Sequence, residues 1–138
     1  MRTNTPATLY NRYVVTATRS EAYQRTVLPE VAWENHKASN VVATGGRMFA
    51  DQAKIFILMA FGKRFLKPAA WKALTSKTGH WTLQIGDVIV QGSVNDEITD
   101  TFTITDLKAK YDDVLTITSI DAMNFGSVNM RHWQVGAQ

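Results

Sequence analysis

Three histidines, His36, His80 and His132, are the first side chains to weigh for metal or acid–base chemistry. They stand far apart, and none has the i, i+4 partner or adjacent carboxylate that a metal site uses. Asp96-Glu97 and Asp112-Asp113 are neighbouring carboxylates, but successive side chains of an extended chain face opposite ways, so neither pair reads as an acid/base couple. No G-x-S-x-G, phosphate-cradling or dinucleotide fingerprint is present, and Gly45-Gly46 reads only as a flexible loop. The absence of cysteine excludes disulfide scaffolds, thiolate zinc sites and cysteine nucleophiles. These observations point away from an enzyme, and they name no catalytic, cofactor-binding or metal residue and no cofactor.

Charge carries more information. Residues 1–80 hold 12 basic and 4 acidic side chains, while residues 81–138 hold 3 basic and 8 acidic, beneath a formal net charge of only +3. If the fold separates the two halves, copies attract head to tail, the heterologous contact that closes into a ring when the rotation allows. The candidate contact residues are Arg47, Lys63, Arg64 and Lys67 on the basic side and Asp96, Glu97, Asp112 and Asp113 on the acidic side. The alternative is that the two halves merely carry different solvated faces. Arg47, Lys54, Lys63, Arg64, Lys67 and Lys72 are also interleaved with Phe49, Phe56, Phe61, Phe65 and Trp71, a pattern shared with single-strand nucleic-acid binders, where a cationic groove is lined with stacking rings. Against that, aromatics at these spacings serve equally well as core, and the acids of the second half repel phosphates.

The elements that must position these residues are mostly strands. Val, Ile and Thr make up 36 of 138 residues, and period-2 alternation prevails over period 3.6. Segments 8–16 and 21–28 read as a hairpin turning near Arg19-Ser20, with a bend at Pro29 before 30–34 resumes. Residues 36–46 read as a loop and 53–59 as a central strand, with a buried helix as the alternative. Pro68 to Leu74 suits a short helix with proline in its first turn. Residues 80–85 and 87–91 flank Gly86 as paired strands or one strand bent at a bulge. Thr105 is expected to cap a helix running to about Tyr111, with Asp106 in its first turn. Two last strands, 114–121 and 128–135, form a hairpin through Gly126. The expected fold is mainly β: one domain over 1–138, a small antiparallel β-barrel or sandwich with one or two short helices in its connections. Residues 1–7 are expected as a flexible arm. Residues 61–78 are expected as a mobile loop ordered on docking, with an ordinary surface loop packed by Trp71 as the alternative.

With 45% apolar and 20% charged residues, the chain has the composition of an ordinary soluble domain. It contains no run near the roughly 18 apolar residues of a membrane span. Its first residues, Met1-Arg2-Thr3-Asn4-Thr5-Pro6, do not read as a signal peptide.

Several segments, in order, carry a resemblance: Thr8-Leu9-Tyr10-Asn11-Arg12-Tyr13; Tyr23-Gln24-Arg25-Thr26-Val27-Leu28-Pro29 with Trp33; Gly79 to Gly92; Tyr111-Asp112-Asp113-Val114-Leu115-Thr116-Ile117; and Gly126 to Gly136. Together they resemble a family of small proteins from the head–tail modules of long-tailed bacteriophages and prophages. The resemblance implies a virion part of the connector, head-closure or minor capsid layer, assembled in the host cytoplasm. Its implied partners are its own copies in a ring, the portal or adaptor, tail proteins and, in passing, packaged DNA. It implies no catalytic residues. The rival from another class is an OB-like single-stranded nucleic-acid-binding module.

Overall fold

The computed structural model describes residues 3–15, 17–41, 47–61, 64–124, 126–127 and 130–138. Six strands, β1 (Thr5–Val15), β2 (Ser20–Val41), β3 (Arg47–Leu58), β4 (Val88–Gln91), β5 (Val114–Met123) and β6 (His132–Ala137), close an antiparallel barrel in the order β1-β2-β3-β6-β5-β4. Two short helices, α1 (Pro68–Lys72) and α2 (Ile104–Lys110), flank β4 in sequence. Closure leaves the barrel body without a free edge. The expected β-rich barrel with short connecting helices is therefore the architecture observed.

The β1–β2 hairpin turns where expected, from Val15 to Ser20, with Arg19 at a φ of 53°. At its other end Ala7 pairs with Leu28 and Thr5 with Val31, so two steps on β1 face three on β2. The extra residue falls at Pro29-Glu30, where a proline lacking an N–H is tolerated only at a bulge or edge. The first residues are less free than the expected arm. Thr5, Pro6 and Ala7 belong to β1, and Ala7 is wholly buried. Just before them the Asn4 side chain clamps Trp33, donating to its carbonyl at 3.0 Å and accepting from its N–H at 2.9 Å.

β1 from Ala7 to Asn11 and β4 from Val88 to Val90 are buried on both faces. Ala7, Leu9 and Ile89 point into the barrel with Val31, Ile55, Ile57, Ile117 and Val135. Tyr10, Val88 and Val90 point outward into a second core closed by Val94 and Leu107 of the 92–111 connection. That explains why Val88-Ile89-Val90 is a continuous apolar run rather than an alternation. Threonine caps α2, but at Thr103 rather than Thr105. Its hydroxyl accepts from the Asp106 N–H while the Asp106 carboxylate accepts from the Thr103 N–H, a complete capping box two residues earlier than expected.

Two expectations fail, for identifiable reasons. Residues 80–85 do not form a strand, although Trp81 and Leu83 alternate into the barrel core as a strand's side chains would. Beyond a single parallel bridge of Trp81 with Phe65, their backbone is held by a side chain: Asn11 Nδ2 donates to the Thr82 carbonyl at 2.8 Å, and the Thr82 N–H donates to Asn11 Oδ1 at 3.1 Å. Residues 36–41, expected as loop, continue β2 and pair with 47–52 from His36 opposite Gln52 to Val41 opposite Arg47. The Gly45-Gly46 turn lies outside the described residues.

Candidate interaction faces

Two connections of opposite net charge flank strand β4. The basic connection leading into it packs at its Asp87 end, and the acidic connection leaving it begins at its Gln91 end. On the basic side, the inward row Ala7, Leu9 of β1 continues through Asn11 and Tyr13, where it meets the connection 64–87. Pro68 opens α1, with Lys67 extended at the N-cap. Trp71 is fully buried, its ring edge-on to Tyr13 at 5.7 Å and its Nε1–H donating to the His80 carbonyl at 3.3 Å. The Lys77 ammonium closes the helix end by donating to the Leu74 carbonyl at 3.0 Å, and it lies 4.8 Å from the Tyr13 ring centre. The described part of this segment is thus packed by Trp71.

Beneath this face sits Asp87, 3% exposed. Asn11 Nδ2 and Gln84 Nε2 donate to its Oδ2 at 2.8 and 2.9 Å, and the Arg12 N–H donates to Oδ1 at 3.1 Å. Burial nevertheless holds the carboxyl above its ordinary range, the three donors only partly offsetting desolvation. Over it open two adjoining clefts that share Arg12 and Lys72. One, of about 230 Å³, is lined by Arg12, Tyr13, Val14, Lys72 and Lys77; the other, of about 160 Å³, reaches Gln84, Ile85 and Gly86. Arg12 pairs with Glu21, whereas Lys72 is exposed and has no hydrogen-bonded side-chain partner among the described residues. Val14 and Ile85 stand out beside it, 53% and 71% exposed.

On the acidic side the candidate carboxylates divide into two kinds. Asp96 accepts from the Tyr111 hydroxyl at 2.6 Å and from Lys110 Nζ at 3.0 Å, and these two partners hold its carboxyl below the ordinary range. Its main-chain carbonyl also accepts from the buried Tyr10 hydroxyl at 2.7 Å. Glu97 pairs with Arg25 at 2.9 Å. Both charges are therefore already partnered within the chain. Asp112 and Asp113 are exposed just past α2 and have no side-chain partner among the described residues; the Asp113 carbonyl accepts the Gln91 N–H at 3.2 Å, fixing this corner at the end of β4.

Of the basic candidates, Arg64 and Lys67 are exposed on the segment before α1. Arg47 opens β3 opposite Val41, its side chain outside the described set, and Lys63 lies outside the described residues. The proposed stacking platform is not assembled from the rings described: Trp71 is buried, and Phe65 packs 5.1 Å from Trp81 and 4.4 Å from Trp133. His132 Nδ1 lies 3.0 Å from the Met130 carbonyl, and its ring meets Phe56 at 5.5 Å. Among the described residues no three potential ligands gather into a metal site. Three polar side chains have no motif that marks them: Asn4 just before β1, and Thr8 and Asn11 on its opposite faces. Thr8 Oγ1 donates to the Gly92 carbonyl and accepts from the Val94 N–H, as the two asparagines clamp Trp33 and Thr82. Thr8 and Asn11 within the buried run Ala7 to Asn11 were the available signal.

The fold and these faces define a small closed six-stranded antiparallel β-barrel with opposite charge at the two ends of one strand. By its sequence the chain belongs to the DUF6751 family, a family of unknown function whose model matches residues 2–138. Neither a curated protein nor a solved structure matches it.

Proposed function

We propose that the protein is a structural component of the head–tail connector of a long-tailed bacteriophage or prophage, assembling as a ring between portal and tail and working by assembly rather than catalysis. The resemblance of its ordered segments to head–tail module proteins supplies the class. The observation that carries the assembly reading is the β2–β3 ribbon. Among the described residues, 36–41 and 47–52 pair only with each other, because β1 leaves β2 at Val31 and β6 joins β3 only from Ala53. A two-stranded ribbon is marginal alone in water, and its outer N–H and C=O groups are a template for another chain. In a ring each ribbon lies along the next copy, which satisfies those groups by strand addition. The nucleic-acid reading has less support, since Trp71 and Phe65 are engaged in packing.

Native mass spectrometry and negative-stain imaging at high protein concentration, with and without the portal, test this reading. Rings or portal-bound arcs of several copies are the expected result. A protein that stays monomeric under both conditions would overturn it.

A further inference from the structure

We propose that the cationic cleft between α1 and the end of β1 receives the Asp112-Asp113 corner of a neighbouring copy. This inference rests on the ring reading and names the two surfaces that meet in it. The cleft offers Lys72, with Lys77 turned onto the Leu74 carbonyl and the Tyr13 ring, Arg12 shared with Glu21 and Asp87 sealed beneath three donors. Arg64 and Lys67 extend the positive field along the same connection. Val14 and Ile85 add exposed apolar surface beside the charges, so a docked partner gains burial as well as ion pairing.

Of the four candidate carboxylates Asp96, Glu97, Asp112 and Asp113, two are already used within the chain. Asp96 and Glu97 are held by Lys110, Tyr111 and Arg25, but Asp112 and Asp113 project with no such partner among the described residues. One copy cannot satisfy itself. The cleft adjoins Asp87 and the corner is bonded to Gln91, and the four residues of β4 between them span about 13 Å at a strand's rise. Two different patches at two ends of one strand form a heterologous pair, which propagates from copy to copy and closes as a ring when the rotation allows. Complementary charge then fixes which end meets which.

A charge swap tests the contact. Lys72→Glu alone, or Asp112→Lys with Asp113→Lys, is expected to raise the concentration for half-assembly at least about tenfold, a loss typical of setting like charges together at an interface. Combining all three again sets opposite charges face to face at position 72 while Lys77, Arg64 and Lys67 stay cationic, so assembly should recover partway and exceed that of either separate variant. All three positions are exposed, and thermal melts of the isolated variants check that the barrel is intact. If every variant assembles like the wild type, or if the combined variant is no better than the separate ones, this contact is wrong while the ring stands. A wild type that never assembles removes both.

Discussion

Asp87 shows how one carboxylate can order a whole end of the barrel. Its two oxygens accept from Asn11, Gln84 and the Arg12 backbone, and Asn11 in turn holds Thr82. An asparagine at this position has one acceptor oxygen and presents an NH₂ to donors already aimed at it. Asp87→Asn is therefore expected to lose about 2 kcal/mol in denaturant unfolding, since each buried donor left unpaired costs about 1–3 kcal/mol. The pH dependence has a definite sign. Because burial raises the folded carboxyl above its value in the unfolded chain, the folded state binds the proton more tightly. Its contribution to stability is full below the ordinary value of 3.8 and declines as pH rises through the folded value. Asp96 has the opposite sense. Its hydrogen bond from Tyr111 and its bond to Lys110 lower the folded value, so its contribution is present above the ordinary range and is lost as pH falls through the lowered value. The difference between wild-type and Asp87→Asn stabilities, measured across acidic pH, should fall with rising pH; a constant difference would show that Asp87 does not titrate above its ordinary range. None of this was legible in the sequence, because an asparagine clamp has no spacing rule and its partner lies 71 residues away.

At the scale of elements, the β2–β3 ribbon and the α1 connection make separate predictions. Removing residues 37–51 and joining His36 to Gln52 through Asn-Gly, which favours a tight hairpin turn, keeps every barrel pair of β3 with β6 and leaves β2 paired with β3 from Ala32 to Asn35. The shortened protein should melt within a few degrees of wild type and fail to enter rings. Normal assembly would exclude the ribbon as the contact. Trp71→Ala removes the one buried anchor of α1, at a cost of about 3–5 kcal/mol for a buried tryptophan. Hydrogen exchange should then show lost protection over 64–74 while Ile117 and Val135 stay protected; protection unchanged at α1 would mean the connection is held by something else. The hairpins were legible because alternation and turn residues are local: Arg19-Ser20, Gly126 and the Pro29 bulge all fall where the sequence places them. Segment 80–85 was misread because its alternation is real while its hydrogen bonds are not those of a ladder. Residues 36–41 do not read as a strand because the adjacent polar pairs of this one ribbon strand, His36-Lys37 and Ser39-Asn40, give no alternation to detect.

For the whole molecule, the charge split was legible as arithmetic, since counts along the chain do not depend on the fold. Its placement on the two ends of β4 was not, nor was the internal use of Asp96 and Glu97 by Lys110, Tyr111 and Arg25. What remains for contact between copies is a smaller set of charges, each solvent-exposed. An exposed pair contributes about 0–1 kcal/mol, so orientation by charge depends on repetition around a ring, while buried apolar surface supplies most of the affinity. Salt separates the two contributions. The screening length shrinks from about 8 Å near 0.15 M to about 3 Å at 1 M, which weakens exposed pairs, whereas apolar burial is not screened. Assembly followed by light scattering should therefore weaken severalfold over that range without disappearing. The triple reversal Lys63→Glu, Arg64→Glu and Lys67→Glu should block incorporation at 0.15 M and leave the monomer's melting temperature within a few degrees of wild type, because Arg64 and Lys67 are exposed. A triple variant that assembles normally, or assembly that strengthens steadily with salt, would show that the basic connection faces solvent in the ring and that apolar contacts alone set the order of copies.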